Sequence, residues 1–139
     1  MTKSVPQSNI AKLSQLLQAI SPQPRLEILL AIGTGEACVC HLEADTGWRQ
    51  AYISQHLMAL RSEGLVTSRR DGRNIYYRLK NAVVLDLIRK AAGIAGISDV
   101  EASQGRLAEP LPNCTCPHCS ARATHTLLGE IPNLAVGNS

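Results

Sequence analysis

Apolar residues recur at intervals of three and four along most of the first hundred positions of this chain. In residues 9–20, Ile10, Leu13, Leu17 and Ile20 fall on one side of a helix with 3.6 residues per turn. The same spacing predicts four further helices, of which the one at residues 25–32 is apolar on most sides and therefore buried. The predicted helices cover residues 9–20, 25–32, 36–47, 49–62 and 82–95.

The period changes to two between residues 65 and 79. Residues 65–69 and 75–79 are rich in β-branched and aromatic side chains, and Asp71 and Gly72 between them form a turn signal. Two helices joined by a short turn and followed by a basic hairpin predict a winged helix-turn-helix, a mainly α fold with a small β-hairpin wing. Beyond Gly96 the periodicity fades. We therefore expect a DNA-binding and dimerisation domain over residues 1–97 and a loosely ordered, cysteine-containing tail over 98–139.

Positive charge is concentrated in the middle of the chain. Residues 49–80 hold seven Lys or Arg and two acids, a net charge of +5, whereas the whole chain carries +3. Such a block suits a nucleic-acid surface because each phosphate contact pairs a charge; a solvated charged face is the alternative. In a winged helix-turn-helix the second helix enters the major groove and the hairpin follows the backbone. The side chains expected to contact operator DNA are Arg49, Gln50, Tyr52, Ser54 and Gln55 on the helix and Arg69, Arg70 and Arg73 on the hairpin.

Four other side chains of this region are interpreted as mainly structural. Trp48 at the turn is expected to act as a packing cap, and His56 to face away from the groove and bond a backbone carbonyl. Tyr76 and Tyr77 alternate across a strand, so one of them should pack inward and the other face a phosphate.

The composition of the 139 residues points to a partner subunit. Aromatic residues are 3% of the sequence and Phe is absent, so Leu, Ile, Val and Ala must build the core. The apolar faces of the first and fifth helices have no obvious place in so small a core, and pairing them across a two-fold axis predicts a homodimer. The residues expected at that interface are Leu13, Leu17, Leu87 and Ile88.

The sequence gives no sign of a membrane partner or of export. No apolar run reaches the roughly 18 residues of a membrane span, and the polar N-terminus lacks the apolar core of a signal peptide. We therefore expect a cytoplasmic protein. No catalytic triad, carboxylate pair or phosphate loop stands out, so we expect neither an enzyme nor an organic cofactor.

Five cysteines fall into two groups, and in a reducing compartment they indicate metal or thiol chemistry rather than a disulfide scaffold. Cys38 and Cys40 open the third predicted helix. Residues two apart do not share a face of a regular helix, but at a frayed first turn both thiols can turn to one ion, and a helix N-terminus lowers a thiol pKa. A pair of small buried apolar side chains is the alternative. His41 beside them is either a further ligand or a solvent-facing or hydrogen-bonded side chain.

The second group is Cys114, Cys116 and Cys119, with His118 among them, in a polar stretch that has no core to join. Thiolates at this density suit soft ions such as zinc, cadmium, lead or arsenite. The CPHC sequence also matches the redox motif of thioredoxin-like oxidoreductases. That motif needs a βαβ context, and the surroundings here are irregular, so we set an oxidoreductase aside.

Residues 21–80 resemble the ArsR/SmtB family of metal-sensing repressors. The resemblance rests on PRLEILLAI, GEACVCHL and the stretch SQHLMALRSEGLV followed by DGRNIYYRL. It implies a homodimeric repressor that leaves its operator when an inducer binds. Within that family, CVC at the start of the third helix marks thiolate sensors of arsenite, antimonite, cadmium or lead, and Cys38 and Cys40 match it.

The chain departs from the ligand sets of that family. Glu43 replaces the third cysteine of the arsenite type, the N-terminal arm lacks the cysteines of the cadmium and lead type, and residues 82–97 have no His for the zinc type. The other thiols are Cys114, Cys116 and Cys119. We infer that they complete a site with Cys38 and Cys40, and we favour arsenite over cadmium, lead or zinc because three thiolates already suit it. A thiol-based redox or sulfide sensor, in which a helix cysteine links to a tail cysteine, is the alternative.

Overall fold

A computed structural model describes residues 6–100, which form a winged helix-turn-helix and confirm the predicted fold class. The helices are α1 (Gln7–Ile20), α2 (Gln23–Ile32), α3 (Val39–Thr46), α4 (Gln50–Ser62) and α5 (Val83–Ile94). The strands are β1 (Glu36–Cys38), β2 (Val66–Asp71) and β3 (Asn74–Leu79). None of these helices is long and apolar enough to cross a lipid bilayer.

The predicted start of the third helix is wrong, because residues 36–38 form a strand. β1 pairs antiparallel with β3, Ala37 lies opposite Tyr77, and the strand order is β1-β3-β2. Three residues are too few to show an alternation in the sequence, so pairing with a distant strand overrides the local helical pattern. As a result Cys38 ends a strand and immediately precedes α3.

The core joins all five helices to one face of the sheet. Its fully buried side chains from the helices are Ile28, Leu29, Ile32, Leu42, Ile53, Leu57, Leu60 and Leu85. The sheet contributes Ala37, Val66, Tyr77 and Leu79. Because successive side chains of a strand point to opposite faces, Cys38, Tyr76 and Arg69 lie on the other face of the sheet.

The wing turns at Gly72 and Arg73, since Asp71 and Asn74 are the last paired residues of the ladder. Gly72 has a φ of 63°, and within residues 6–100 positive φ values occur at glycines alone. A glycine at the first of two central positions is typical of a type II′ turn, whose twist matches that of the flanking strands. The turn therefore lies where the sequence predicts it, with Gly72 at a positive φ.

Arg25 ties α1 and α2 to α4. Its Nη1 donates to the carbonyl of Ala19 at 3.1 Å, and its Nε donates to Nδ1 of His56 at 3.4 Å. The pKa of His56 is lowered, first by burial and then by the charge of Arg25. Both effects favour the neutral imidazole, whose Nδ1 can accept this bond. His56 thus bonds a side chain, and the expected bond to a backbone carbonyl is wrong.

Candidate DNA-binding surface and thiol site

The turn between α3 and α4 fixes the direction of the recognition helix. Gly47 ends α3 with a φ of 77°, a left-handed conformation that glycine adopts without a Cβ clash. Oγ1 of Thr46 accepts the backbone N–H of Trp48 at 3.1 Å, which holds the next step of the chain. Ile53 and Leu57 are fully buried and anchor one side of α4 in the core. The opposite side of α4 therefore faces solvent.

The residues predicted to read bases lie on that side or at the start of the helix. Arg49, Gln50, Tyr52 and Gln55 are exposed, and Ser54 is half-buried. Side chains from the early turns of a recognition helix are those that reach base edges. The arrangement suits major-groove contact.

An aromatic row along α4 holds Tyr52 in place. The ring centroids of Trp48 and Tyr52 are 5.4 Å apart, those of Tyr52 and His56 are 4.7 Å apart, and both pairs meet edge to face. Such pairs are favourable because a positive ring edge meets a negative ring face. Trp48 also packs on the core, which confirms its packing role, while Tyr52 stays exposed.

The three arginines predicted to contact the DNA backbone differ in their partners. Nε and Nη2 of Arg69 donate to the carboxylate of Glu36, and Nη1 of Arg69 lies 3.8 Å from Asp71. The pKa of Arg69 is raised above its usual value, chiefly by the hydrogen bond to Glu36. Arg70 and Arg73 are exposed, and within residues 6–100 no carboxylate lies at ion-pair distance from either. Of these three, Arg70 and Arg73 can therefore meet a phosphate without breaking an existing pair.

Cys38 and Cys40 bring their sulfurs together at the junction of β1 and α3. The two Sγ atoms are 2.9 Å apart. Cys38 is the N-cap of α3, and its Sγ accepts the backbone N–H of His41 at 3.4 Å, as an oxygen does in the usual N-cap residues. The backbone of Cys38 is extended, with φ −86° and ψ 166°. The two thiols converge because one precedes the helix and the other lies in its first turn.

Tyr76 covers the thiol pair from the sheet. It forms a small buried cluster with Cys38, against which Cys40 and Ala44 pack. Tyr76 is 5% exposed and Tyr77 is 9% exposed, on opposite faces of β3. The expectation that one of the two tyrosines faces a phosphate is therefore wrong. The predicted alternation of the two tyrosines across β3 is confirmed, but other side chains cover both faces of the strand at this point.

The described residues supply two soft ligands at this site. His41 is 2% exposed, so a solvent-facing position is excluded. Within residues 6–100, no group of three or more His, Cys, Asp or Glu side chains is placed to hold a metal ion. Cys114, Cys116 and Cys119 lie outside the described residues.

Helices α1 and α5 expose apolar side chains. Leu13 and Leu17 of α1 are about half exposed and line a shallow groove together with Ile10, and Leu87 of α5 is also exposed. Ile88, expected at the same interface, lies within the core of the chain. Exposed apolar faces of this kind mark protein interaction surfaces.

The fold and these surfaces define a winged-helix DNA-binding protein. The family profile "Bacterial regulatory protein, arsR family" matches residues 22–68. The arsenical resistance operon repressor of Staphylococcus aureus is 37% identical over 78 residues, which cover 56% of this chain and 75% of that protein. The chain belongs to the ArsR/SmtB family of transcriptional repressors, which are DNA-binding regulators and not enzymes.

Two further similarities mark the extent of the shared region. A transcriptional repressor SmtB homolog of Synechocystis is 36% identical over 81 residues, and the match covers 58% of this chain and 61% of that protein. The homodimeric winged helix-turn-helix DNA-binding domain Mb0332 from Mycobacterium bovis superposes with a TM-score of 0.58 at 28% identity. That superposition covers 69% of this chain and 91% of the solved one.

Proposed function

We propose that this chain is a homodimeric repressor that leaves its operator when cysteine thiolates bind a soft metal or metalloid ion, arsenite in preference to cadmium, lead or zinc. The observation that carries the proposal is the 2.9 Å approach of the Cys38 and Cys40 sulfurs at the start of α3. The DNA-reading helix α4 follows α3 after one turn. The thiol pair therefore lies close to the helix whose position must change when the operator is released. The similarity to an arsenical resistance operon repressor supports the class of ion.

Two thiolates do not complete the shell of any of these ions. Arsenite takes three thiolates in a pyramid, whereas cadmium, lead or zinc would take a fourth ligand. Cys40 is half-buried and Cys38 is buried, so Cys40 is the more accessible of the two thiols. The ligands that complete the site in this proposal are among Cys114, Cys116 and Cys119, and one of them suffices for arsenite.

The ion releases DNA only if it binds the DNA-free conformation more tightly than the DNA-bound one. Cys38 Sγ caps α3 through the N–H of His41, so an ion that recruits this sulfur competes with the cap and shifts the first turn of α3. Because α3 packs against α4, the shift changes the position of the recognition helix. A coupling of ~1–3 kcal/mol, usual for allostery, weakens operator binding about 5- to 150-fold.

Titration with arsenite under strict reduction tests this function. The operator affinity of the full chain, measured by fluorescence anisotropy, should fall about 5- to 150-fold at stoichiometric arsenite. A chain that ends at Pro112 lacks the tail thiols and should bind the operator but ignore arsenite. A full response of the shortened chain would show that the tail thiols are not ligands. A full-length chain that ignores arsenite, cadmium and lead alike would contradict the proposed function.

The partial exposure of Cys40 also favours a second candidate, a thiol-based redox or sulfide sensor, because an accessible thiol can be oxidised. Hydrogen peroxide would oxidise one helix thiol and one tail thiol to a disulfide and would itself be reduced to two molecules of water. Such a sensor would release the operator on treatment with peroxide and would ignore arsenite under reduction. The titration therefore separates the two candidates.

The DNA contacts in this proposal are divided between α4 and the wing. Arg49, Gln50, Tyr52, Ser54 and Gln55 contact the bases, and Arg69, Arg70 and Arg73 hold the backbone. The wing residues contribute unequally, because a phosphate must displace Glu36 and Asp71 before Arg69 can take part. Apolar faces of α1 and α5 form the dimer, as the homodimeric state of the Mycobacterium bovis domain supports. Leu13, Leu17 and Leu87 are the exposed members of that interface, with Ile88 behind them.

Replacing Arg73 by Ala should weaken binding on all DNA sequences alike, because a phosphate contact carries no sequence information. The slope of log affinity against log salt should become shallower by about 0.9 for each phosphate contact removed. Arg70→Ala should act in the same way. Arg69→Ala is the matched control and should change the slope less, since its charge is already paired with Glu36. Equal slope changes for all three variants would show that the pairing of Arg69 does not withhold it from DNA.

A further inference from the structure

One residue from each of the three strands lies in a row that begins at Cys38 of the thiol pair. Cys38 of β1 is opposite Tyr76 of β3, and Tyr76 is opposite Arg69 of β2. Directly opposed residues of antiparallel strands share a face, with Cβ atoms roughly 4.5–5.5 Å apart. The row therefore crosses the whole sheet, from the cysteines to the strand that leads into the wing tip.

Each step of this row is a close contact. The ring of Tyr76 is buried against Cys38, and Cys40 packs on the same cluster. The guanidinium carbon of Arg69 lies 4.7 Å from the centroid of the Tyr76 ring, a cation–π arrangement. Glu36 reaches across β3 to hold the same guanidinium with two hydrogen bonds. Glu36 and Cys38 belong to the same short strand, so both ends of this contact path are tied to β1.

We propose that Tyr76 and Arg69 are positioning residues that couple the thiol pair to the wing, with Glu36 holding Arg69 on the ring. This proposal rests on the proposed function, since it names the route by which the ion acts. An ion bound between the two sulfurs needs space beside them, and the Tyr76 ring occupies one side of that space. Displacement of the ring takes away the surface on which Arg69 is stacked.

A displacement of Arg69 is passed along β2 to the residues that contact DNA. Arg69 is followed in β2 by Arg70, and the turn with Arg73 lies a few residues beyond it. A shift of Arg69 relative to β3 changes the angle of the hairpin and therefore the positions of these two cations. The ion bound at the two sulfurs then displaces the wing as well as α4.

A merely structural role for this row makes a different prediction. If Tyr76 and Glu36 only stabilise the sheet, their replacement lowers stability but leaves the ratio of operator affinities without and with the inducer unchanged. If they transmit the signal, that ratio falls while operator binding without inducer persists. The ratio is therefore the measurement that distinguishes the two roles.

Phenylarsine oxide is the appropriate probe, because it needs two thiols and does not depend on a third ligand. Its arsenic forms bonds to both sulfurs, and its oxygen leaves as water with the two thiol protons. The full-length chain with Cys114, Cys116 and Cys119 replaced by Ser confines the reagent to Cys38 and Cys40. Tyr76→Leu removes the ring, and Glu36→Gln removes the charge that holds Arg69. Asp86→Asn, which breaks the exposed pair of Asp86 with Arg89 on α5, is the matched control.

The chain with Ser at positions 114, 116 and 119 is the parent of these variants. In this parent, phenylarsine oxide should weaken operator binding about 5- to 150-fold. Tyr76→Leu and Glu36→Gln should still bind one equivalent, and their affinity ratios should fall about 2- to 30-fold below that of the parent, the range found for residues along a coupling route. Asp86→Asn should behave like the parent. Glu36→Gln leaves the buried cluster intact, so it remains informative if Tyr76→Leu does not fold.

Two results would overturn this inference. One is an unchanged affinity ratio in both variants with the reagent bound, and the other is a parent chain that binds the reagent at Cys38 and Cys40 without any loss of operator affinity. If the parent responds to phenylarsine oxide, the variants lose that response and the chain with all five cysteines ignores arsenite, the coupling is supported and the proposed inducer is contradicted.

Discussion

Replacing Cys38 or Cys40 by Ser should abolish the response to arsenite and leave operator binding intact. Each substitution removes one of two sulfurs that lie 2.9 Å apart, and a hydroxyl is a poor ligand for a soft ion. The expected wild-type loss of affinity, about 5- to 150-fold, should disappear in both variants. Operator affinity measured by anisotropy with and without arsenite, at one fixed salt concentration, checks this result.

The capping role of Cys38 supplies a control for folding. Its Sγ accepts the N–H of His41 at 3.4 Å, and Ser is among the preferred N-cap residues, so Cys38→Ser keeps a cap on α3. Cys38→Ala loses both the ligand and the cap, and its free energy of unfolding should be lower than that of Cys38→Ser by about 0.5–2 kcal/mol. A Ser variant that folds and still responds fully would exclude the thiol pair as the inducer site.

Most of the fold follows from the hydrophobic pattern because the helices are long enough to repeat their period. The ends of α1, α2, α4 and α5 lie within two residues of the predicted positions. β1 was missed because its three residues contain no full repeat of an alternation, and it exists only through its pairing with β3. The early start of α2 at Gln23 reflects a proline that the first turn of a helix accepts.

The candidate site also contains residues that the sequence identifies and residues that it does not. Cys38 and Cys40 stand out in the sequence because thiols carry chemistry wherever they lie. Glu36 and Tyr76 carry no such mark, and their place beside the thiols depends on the register of β1 on β3. A register shifted by one residue would turn Tyr77 rather than Tyr76 toward the cysteines. No local pattern fixes that register. The expectation of a tyrosine facing a phosphate failed because Cys38, Cys40 and Ala44 cover the face of β3 that is opposite the core.

Replacing Leu13 and Leu17 together by Glu should convert the proposed dimer to a monomer and weaken operator binding about 10²- to 10⁴-fold, the avidity that two linked modules provide. The two leucines are 52% and 44% exposed on α1, and a charge placed in a paired apolar interface must lose its water. A two-fold dimer meets both halves of a palindromic operator, whereas a monomer meets one. Sedimentation at micromolar concentration, together with operator affinity, checks both parts of the result.

The double Glu variant distinguishes loss of dimerisation from loss of folding. Both leucines are exposed in the single chain, so the charges enter no core, whereas Ile88 is 7% exposed and its replacement would disturb the interior. Ser8→Glu is the matched control, because residues offset by about 100° each place Ser8 on the opposite side of α1 from Leu13 and Leu17. The control should remain dimeric and keep its affinity. A double Glu variant that is still dimeric would move the interface away from this face, and a wild-type chain that is monomeric at micromolar concentration would contradict the homodimer itself.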